Sequence, residues 1–328
     1  MWPFRKKRAQ AANTVPAHPE ITVDPFLGDP GAAALRSTLT ARDWATARAV
    51  LAASPDADHL SLLMRVAAET QGIQEWIEGP VRDDAQSIFP LLVRGSHAVY
   101  WAWQARGTGM AGSVGDDQWR VWFSRLKLAE NCLDEVLERD PACAEAWHYL
   151  VILGRARQLP FEERWYRFTN LMGLQPTHYL GHTQMLNNLM AKWSGSTEQM
   201  FEFARDRAAR HPGTALPALI AAAHLEHRYS AGGNEYMERK EVGDELVEAA
   251  QQSIWHPEYR PTAITPLLWN RFAHAFAVAD RYAEADWCFQ RIADRLVTDE
   301  FEGSSSGDAA TAANYAHWRD YVRARLRG

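Results

Sequence analysis

Large apolar residues recur at helical spacing along most of this chain, and they do so in pairs of short segments rather than in one long run. Toward the C-terminal end Trp269, Phe272, Ala273 and Phe276 share one helix face, and Ala285, Phe289 and Ile292 share the next, with a turn between them at Ala279 to Ala285. A lone hairpin of this kind leaves its apolar face in water, so the pattern predicts stacked neighbours. Leu35 and Leu39, then Trp44, Ala47 and Leu51, form an earlier pair around Arg42 and Asp43. Further pairs are expected over 88–106 with 117–139, from Trp147 to Pro176, over 177–192 with 197–210, and over 216–227 with 242–253. Helix starts carry their own marks: Asp29 stands before Pro30 as N-cap and first helical residue, and Ser196 with Gln199 has capping-box spacing. The expected fold is all-α, an α-solenoid of stacked antiparallel helix pairs.

Four regions follow from the punctuation. Residues 1–25 hold four prolines and no helical period, which reads as an arm. Residues 26–300 hold the repeats, 301–310 form a Gly/Ser linker, and 311–328 form an amphipathic helix with Tyr315, Trp318, Val322 and Leu326 on one stripe. That helix is expected to cap the stack, or alternatively to detach and bind a partner.

Composition narrows the function classes. The 328 residues carry a net charge of −6, and without the basic start the remainder is more acidic still, the opposite of a nucleic-acid binder. Cys132, Cys143 and Cys288 form neither a CxxC pair nor an even set, so neither a disulfide framework nor a structural zinc site is expected, and a reducing, cytoplasmic setting fits. The apolar stretch from Ala215 to Ala223 is too short to span a bilayer. Trp2 and Phe4 beside Arg5, Lys6, Lys7 and Arg8 have the makeup of a weak, reversible membrane contact, the alternative being a solvated arm.

Several chemical motifs lose their force in context. Gly107 to Gly112 spells GxGxxG without the strand and acidic residue that dinucleotide binding requires, and Gly303 to Gly307 spells GxSxG with linker-like flanks. Glu145 and His148 make one ExxH, whereas a di-iron bundle needs two and further glutamates. His178 with His182, and His224 with Glu226 and His227, place potential ligands on single helices but match no zincin spacing. No cofactor, metal or catalytic residue is therefore expected.

The segments from Trp147 to Pro176 and from 269 to 292 resemble tetratricopeptide units. Leu91 to Gly95 with Trp101 to Trp103, and Ala191 to Ser196 leading to Met200 to Arg205, are similar to an uncharacterised family of bacterial helical-repeat proteins common in actinobacteria. The resemblance covers roughly residues 26 to 295 and implies a fold without an activity. By the tetratricopeptide register, Glu145, His148, Arg155, Asn187, Lys192, Asn270 and His274 should line a concave groove. The leading expectation is a non-catalytic scaffold or regulator that binds a protein or peptide there. The alternative is an enzyme or a small-ligand or metal-binding protein built on the cluster at 178–193, with His178, His182 and Trp193. Oligomeric state is left open.

Overall fold

The computed structural model describes residues 21–106, 115–293, 295–297 and 307–327. Among the described residues the fold is all-α, with sixteen α-helices and no β-sheet. The helices are α1 (Pro30–Thr40), α2 (Trp44–Ala52), α3 (Ala57–Glu69), α4 (Glu78–Asp83), α5 (Phe89–Arg106), α6 (Asp116–Arg139), α7 (Ala144–Ala156) and α8 (Phe161–Leu174). They continue as α9 (Tyr179–Leu189), α10 (Thr197–Arg210), α11 (Ala218–Ala231), α12 (Asn234–Met237), α13 (Lys240–Gln251), α14 (Thr265–Val278), α15 (Tyr282–Ile292) and α16 (Asp308–Arg327). The basic arm residues Trp2, Phe4, Arg5, Lys6, Lys7 and Arg8, the GxGxxG segment and most of the Gly/Ser stretch lie outside the described residues.

Local chemistry sets the helix starts. The Asp29 carboxylate accepts from Ala32 N at 2.7 Å with Pro30 at the first helical position, Asp43 accepts from Thr46 N at 3.1 Å, and Ser196 Oγ accepts from Gln199 N at 3.2 Å. Asp56 caps α3 in the same way, giving a full 13-residue helix within the weakly patterned 55–85 region. The α5–α6 hairpin is unusually long, with helices of 18 and 24 residues against 13 and 14 in the next pair. The two come very close at Gly95, where a Cβ would sit 2.9 Å from the Leu133 side chain.

The first helices of the pairs form an inner layer. Each of α1, α3, α5, α7, α9, α11 and α14 packs on the next, while α2, α4, α6, α8, α10, α13 and α15 lie outside them. The array also closes. Residues 23–28 lie against 295–297, with Val23 bridging Leu296 and Asp24 N donating to Leu296 O at 2.7 Å. Arg271 of α14 hydrogen-bonds Tyr179 Oη of α9 across the interior. α16 packs on α14 and α15 with Tyr315 and Val322 buried, while Leu326 is exposed.

Closure alters the environment of positions expected to look into an open groove. α14 is buried around nearly its whole circumference, and Asn270 has no exposed surface. Its amide donates to Pro266 O at 2.7 Å and Arg295 O at 3.0 Å, and its carbonyl accepts from Val297 N at 3.3 Å. Asn270 is thus a seam residue, tying α14 to the strand-like segment that meets the start of the chain. Because its loss strands buried backbone partners, Asn270→Ala should destabilise the protein by roughly 2 to 3 kcal/mol. Chemical denaturation checks this, and an unchanged midpoint would remove the amide from the account of closure.

Candidate functional site

α7 opens just beyond Pro141, and its first turn carries Glu145 with His148 three residues on, so both side chains leave the same face. In the closed array that face meets α3 and the start of α9. Ser61 of α3 donates a hydrogen bond to Glu145 Oε1, and His178 Nε2 lies 2.9 Å from the same oxygen. His148 Nδ1 lies 3.1 Å from Oε2, and Ser61 Oγ is 3.1 Å from His178 Nε2. Glu145 is only 2 % exposed, and His148 and His178 are equally sheltered.

His178 is held by an uncommon cap. Its Nδ1 accepts from Gly181 N at 2.9 Å, closing the first turn of α9. Glycine leaves room here for the neighbouring helix, since a Cβ at 181 would lie 2.2 Å from the Leu171 side chain and force it to move. With Nδ1 committed as an acceptor, the proton of the neutral ring sits on Nε2 and is donated to Glu145. This also excludes a Ser-His-Glu nucleophile relay: Ser61 and Glu145 crowd the same nitrogen, whereas a relay needs them on opposite ones.

Burial alone would push the Glu145 pKa up, but His178 and His148 outweigh it and hold the carboxyl well below its ordinary range. Burial lowers the His148 pKa against the pull of Glu145. Asp58, one turn before Ser61, has its pKa raised by burial, with a hydrogen bond from Thr262 and the nearby His178 opposing. The outcome is an ionised carboxylate among two imidazoles and a hydroxyl. One ligand atom from each of Glu145, His148 and His178 falls within 4.8 Å of the others, a span that a single metal ion can bridge.

The remaining expected site residues are dispersed. His182 points away from the cluster: its Nδ1 donates to His178 O at 2.9 Å, and its ring packs edge-on to Phe168 at 5.0 Å. Its Nε2 is buried without a partner, and burial pushes its pKa down to about 3. Glu145, His148 and His274 are buried rather than groove-facing, Asn187 is half-buried, and Lys192 is exposed and pairs with Glu226 at 2.8 Å. His274 accepts from Arg228 Nη1 at 3.1 Å. Arg155 and Trp193 meet at the other end of the inner helices, with the Arg155 guanidinium 5.5 Å from the indole.

The His224, Glu226 and His227 set also separates. His224 bonds Tyr236 Oη at 2.7 Å and Glu245 at 3.0 Å, while Glu226 turns to Lys192. Ser61 and Asp58 were absent from the expected site. Nothing in the sequence near them signals a partner on α7, because the contact is made only when distant hairpins stack. No protein-family model matches the chain, and a search of curated proteins finds no match.

Glu245 offers a check on these buried networks. Burial would raise its pKa, but hydrogen bonds from His224 and Arg205 prevail and bring it down to about 2. Its folded pKa therefore lies below the unfolded value of about 4.3, so it contributes stability above that value and loses it as pH falls toward about 2. Glu245→Gln should lose less stability than the parent across that window, as measured by urea denaturation at stepped pH. Parallel losses would show that the carboxylate gains nothing from its partners.

Proposed function

We propose that this chain is a small-ligand-binding helical-array protein that holds a divalent transition-metal ion between Glu145, His148 and His178. The observation that carries the reading is the convergence of these three ligand groups in a sheltered site, from two separate elements of the inner layer. Two imidazoles and a carboxylate form a donor set suited to zinc, iron(II) or manganese(II). Ser61 would keep its hydrogen bond to the carboxylate and orient it from outside the coordination shell.

The resting hydrogen bonds set the conditions of loading. Each imidazole directs an N–H at Glu145, so that proton has to move to the other ring nitrogen before a cation can take its place. His148 meets this by moving its proton to the other ring nitrogen. His178 must release the Gly181 N–H, so loading should loosen the first turn of α9.

A peptide-binding concave face is less well supported, because Glu145, His148, Asn270 and His274 are engaged within the fold. Packing of each first helix on the next supports a tetratricopeptide-like description of the all-α fold, and we retain it as part of the proposal.

Untagged protein should retain or take up one equivalent of zinc, manganese or iron(II), as measured by elemental analysis after equilibrium dialysis. Binding should weaken at least tenfold in both His148→Ala and Glu145→Gln. Well-folded parent protein that binds none of the three at neutral pH would overturn the metal reading.

A further inference from the structure

At the opposite end of the inner helices lies a second polar feature of the reverse charge. Arg155 stands in the last turn of α7, ten residues beyond Glu145 and therefore about 15 Å along the axis. Its guanidinium faces the indole of Trp193, which sits in the short 3-10 turn Ala191–Trp193 after α9. Trp103 of α5 meets Trp193 edge-on at 6.1 Å, and Arg106 lies 5.6 Å from the Trp103 ring. Three consecutive inner helices thus bring a tryptophan wall and two guanidinium groups together.

Arg155 is the anomaly. Among the described residues it makes no ion pair and no hydrogen bond; the residue is half-buried, and its Nε is buried without a partner. The Nε atoms of Arg36, Arg164 and Arg207 are likewise buried without a partner, but each of those arginines has another one: Arg36 pairs with Glu69, Arg207 pairs with Asp206, and Arg164 donates to Asn188 O and Trp193 O. Burial lowers the Arg155 pKa to about 10, with the Tyr100 phenol acting weakly in the opposite direction. It remains a cation at neutral pH. An indole face offsets part of the desolvation, but it supplies no hydrogen-bond acceptor to the guanidinium.

A guanidinium fork is matched in geometry by a planar or tetrahedral oxyanion that accepts two parallel N–H bonds. We propose that Arg155, with Trp193 and Trp103 as its walls, is a binding site for a small oxyanion, the carboxylate or phosphate group of a soluble ligand. Arg106 supplies a second positive charge beside the same wall. The turn that carries Trp193 is fixed by backbone packing, since a Cβ at Gly195 would lie 2.0 Å from Leu189 O. The site is independent of the Glu145 cluster, and either can fail without the other.

The test is titration of full-length protein with inorganic phosphate, and separately with benzoate, at constant ionic strength, following tryptophan fluorescence and the melting temperature. Saturable quenching with a rise in melting temperature is expected for at least one probe. A response to phosphate alone assigns a phosphate-type ligand, and a response to benzoate alone assigns a carboxylate. Arg155→Gln should weaken the response at least tenfold, and Arg155→Lys, which keeps charge but not the fork, should weaken it several-fold. Trp193→Phe should reduce the amplitude of quenching. Without ligand, Arg155→Gln should melt close to the parent, because only the contact with the Trp193 indole is lost and no hydrogen bond or ion pair goes with it. A parent protein silent to both probes, a response unchanged in Arg155→Gln, or a ligand-free Arg155→Gln that melts well below the parent would each overturn the proposal.

Discussion

A carboxylate that stays ionised inside the protein has to be provided for by everything around it, and Glu145 imposes that requirement on the N-terminal end of the inner layer. Ser61 comes from α3, His148 from α7 itself and His178 from the start of α9, so one charge fixes the relative positions of three helices. The positive ends of the α3, α7 and α9 helix dipoles also lie toward this end, which favours negative charge there. Apolar side chains fill the interior but define register loosely, since they tolerate sliding. Hydrogen bonds to a buried charge do not, because a displaced partner leaves the charge exposed to a low-dielectric surrounding.

The two ends of α7 present opposite problems with different solutions. At its start the negative group is matched entirely by the protein's own donors. At its end the positive group of Arg155 is given an aromatic face and the favourable end of the helix dipole, but no acceptor. Elsewhere the fold shows how it treats a cation that serves architecture: Arg167 binds Glu130 at 2.9 Å and Leu150 O at 3.2 Å. The contrast separates charges that hold helices together from one that does not.

Much of the helical layout was legible because its causes are local. Asp29, Asp43 and Ser196 cap the helices they precede, and the period of Trp269, Phe272 and Phe276 marks a buried face. Periodicity reports which residues share a face, however, and not what covers it. Asn270 and His274 therefore read as groove-lining polar residues, although the seam and α16 bury them. The shared face of Glu145 and His148 was visible from their spacing. The third member was not, because histidine is not a usual N-cap and the bond from Gly181 N to His178 Nδ1 has no sequence signature. Ser61 lay further out of reach, in a helix joined to α7 only by tertiary packing. The pairing of His178 with His182 failed for a geometric reason: a residue at the cap and one a turn later direct their rings to different neighbours, here Glu145 and Phe168.

The seam between residues 23–28 and 295–297 bears on how the chain reaches this state. Helix hairpins form from neighbouring contacts and can assemble in any order along the array, as local structure does in repeat proteins generally. The bridge from Val23 to Leu296 joins segments from opposite ends of the described chain, and so carries nearly the largest loop-closure entropy available to it. During synthesis residues 23–28 must wait for their partners until 295–297 have emerged. The seam thus makes the first hairpin and the last ones neighbours in space, so that a row of locally formed hairpins acquires one contact that none of them can form alone.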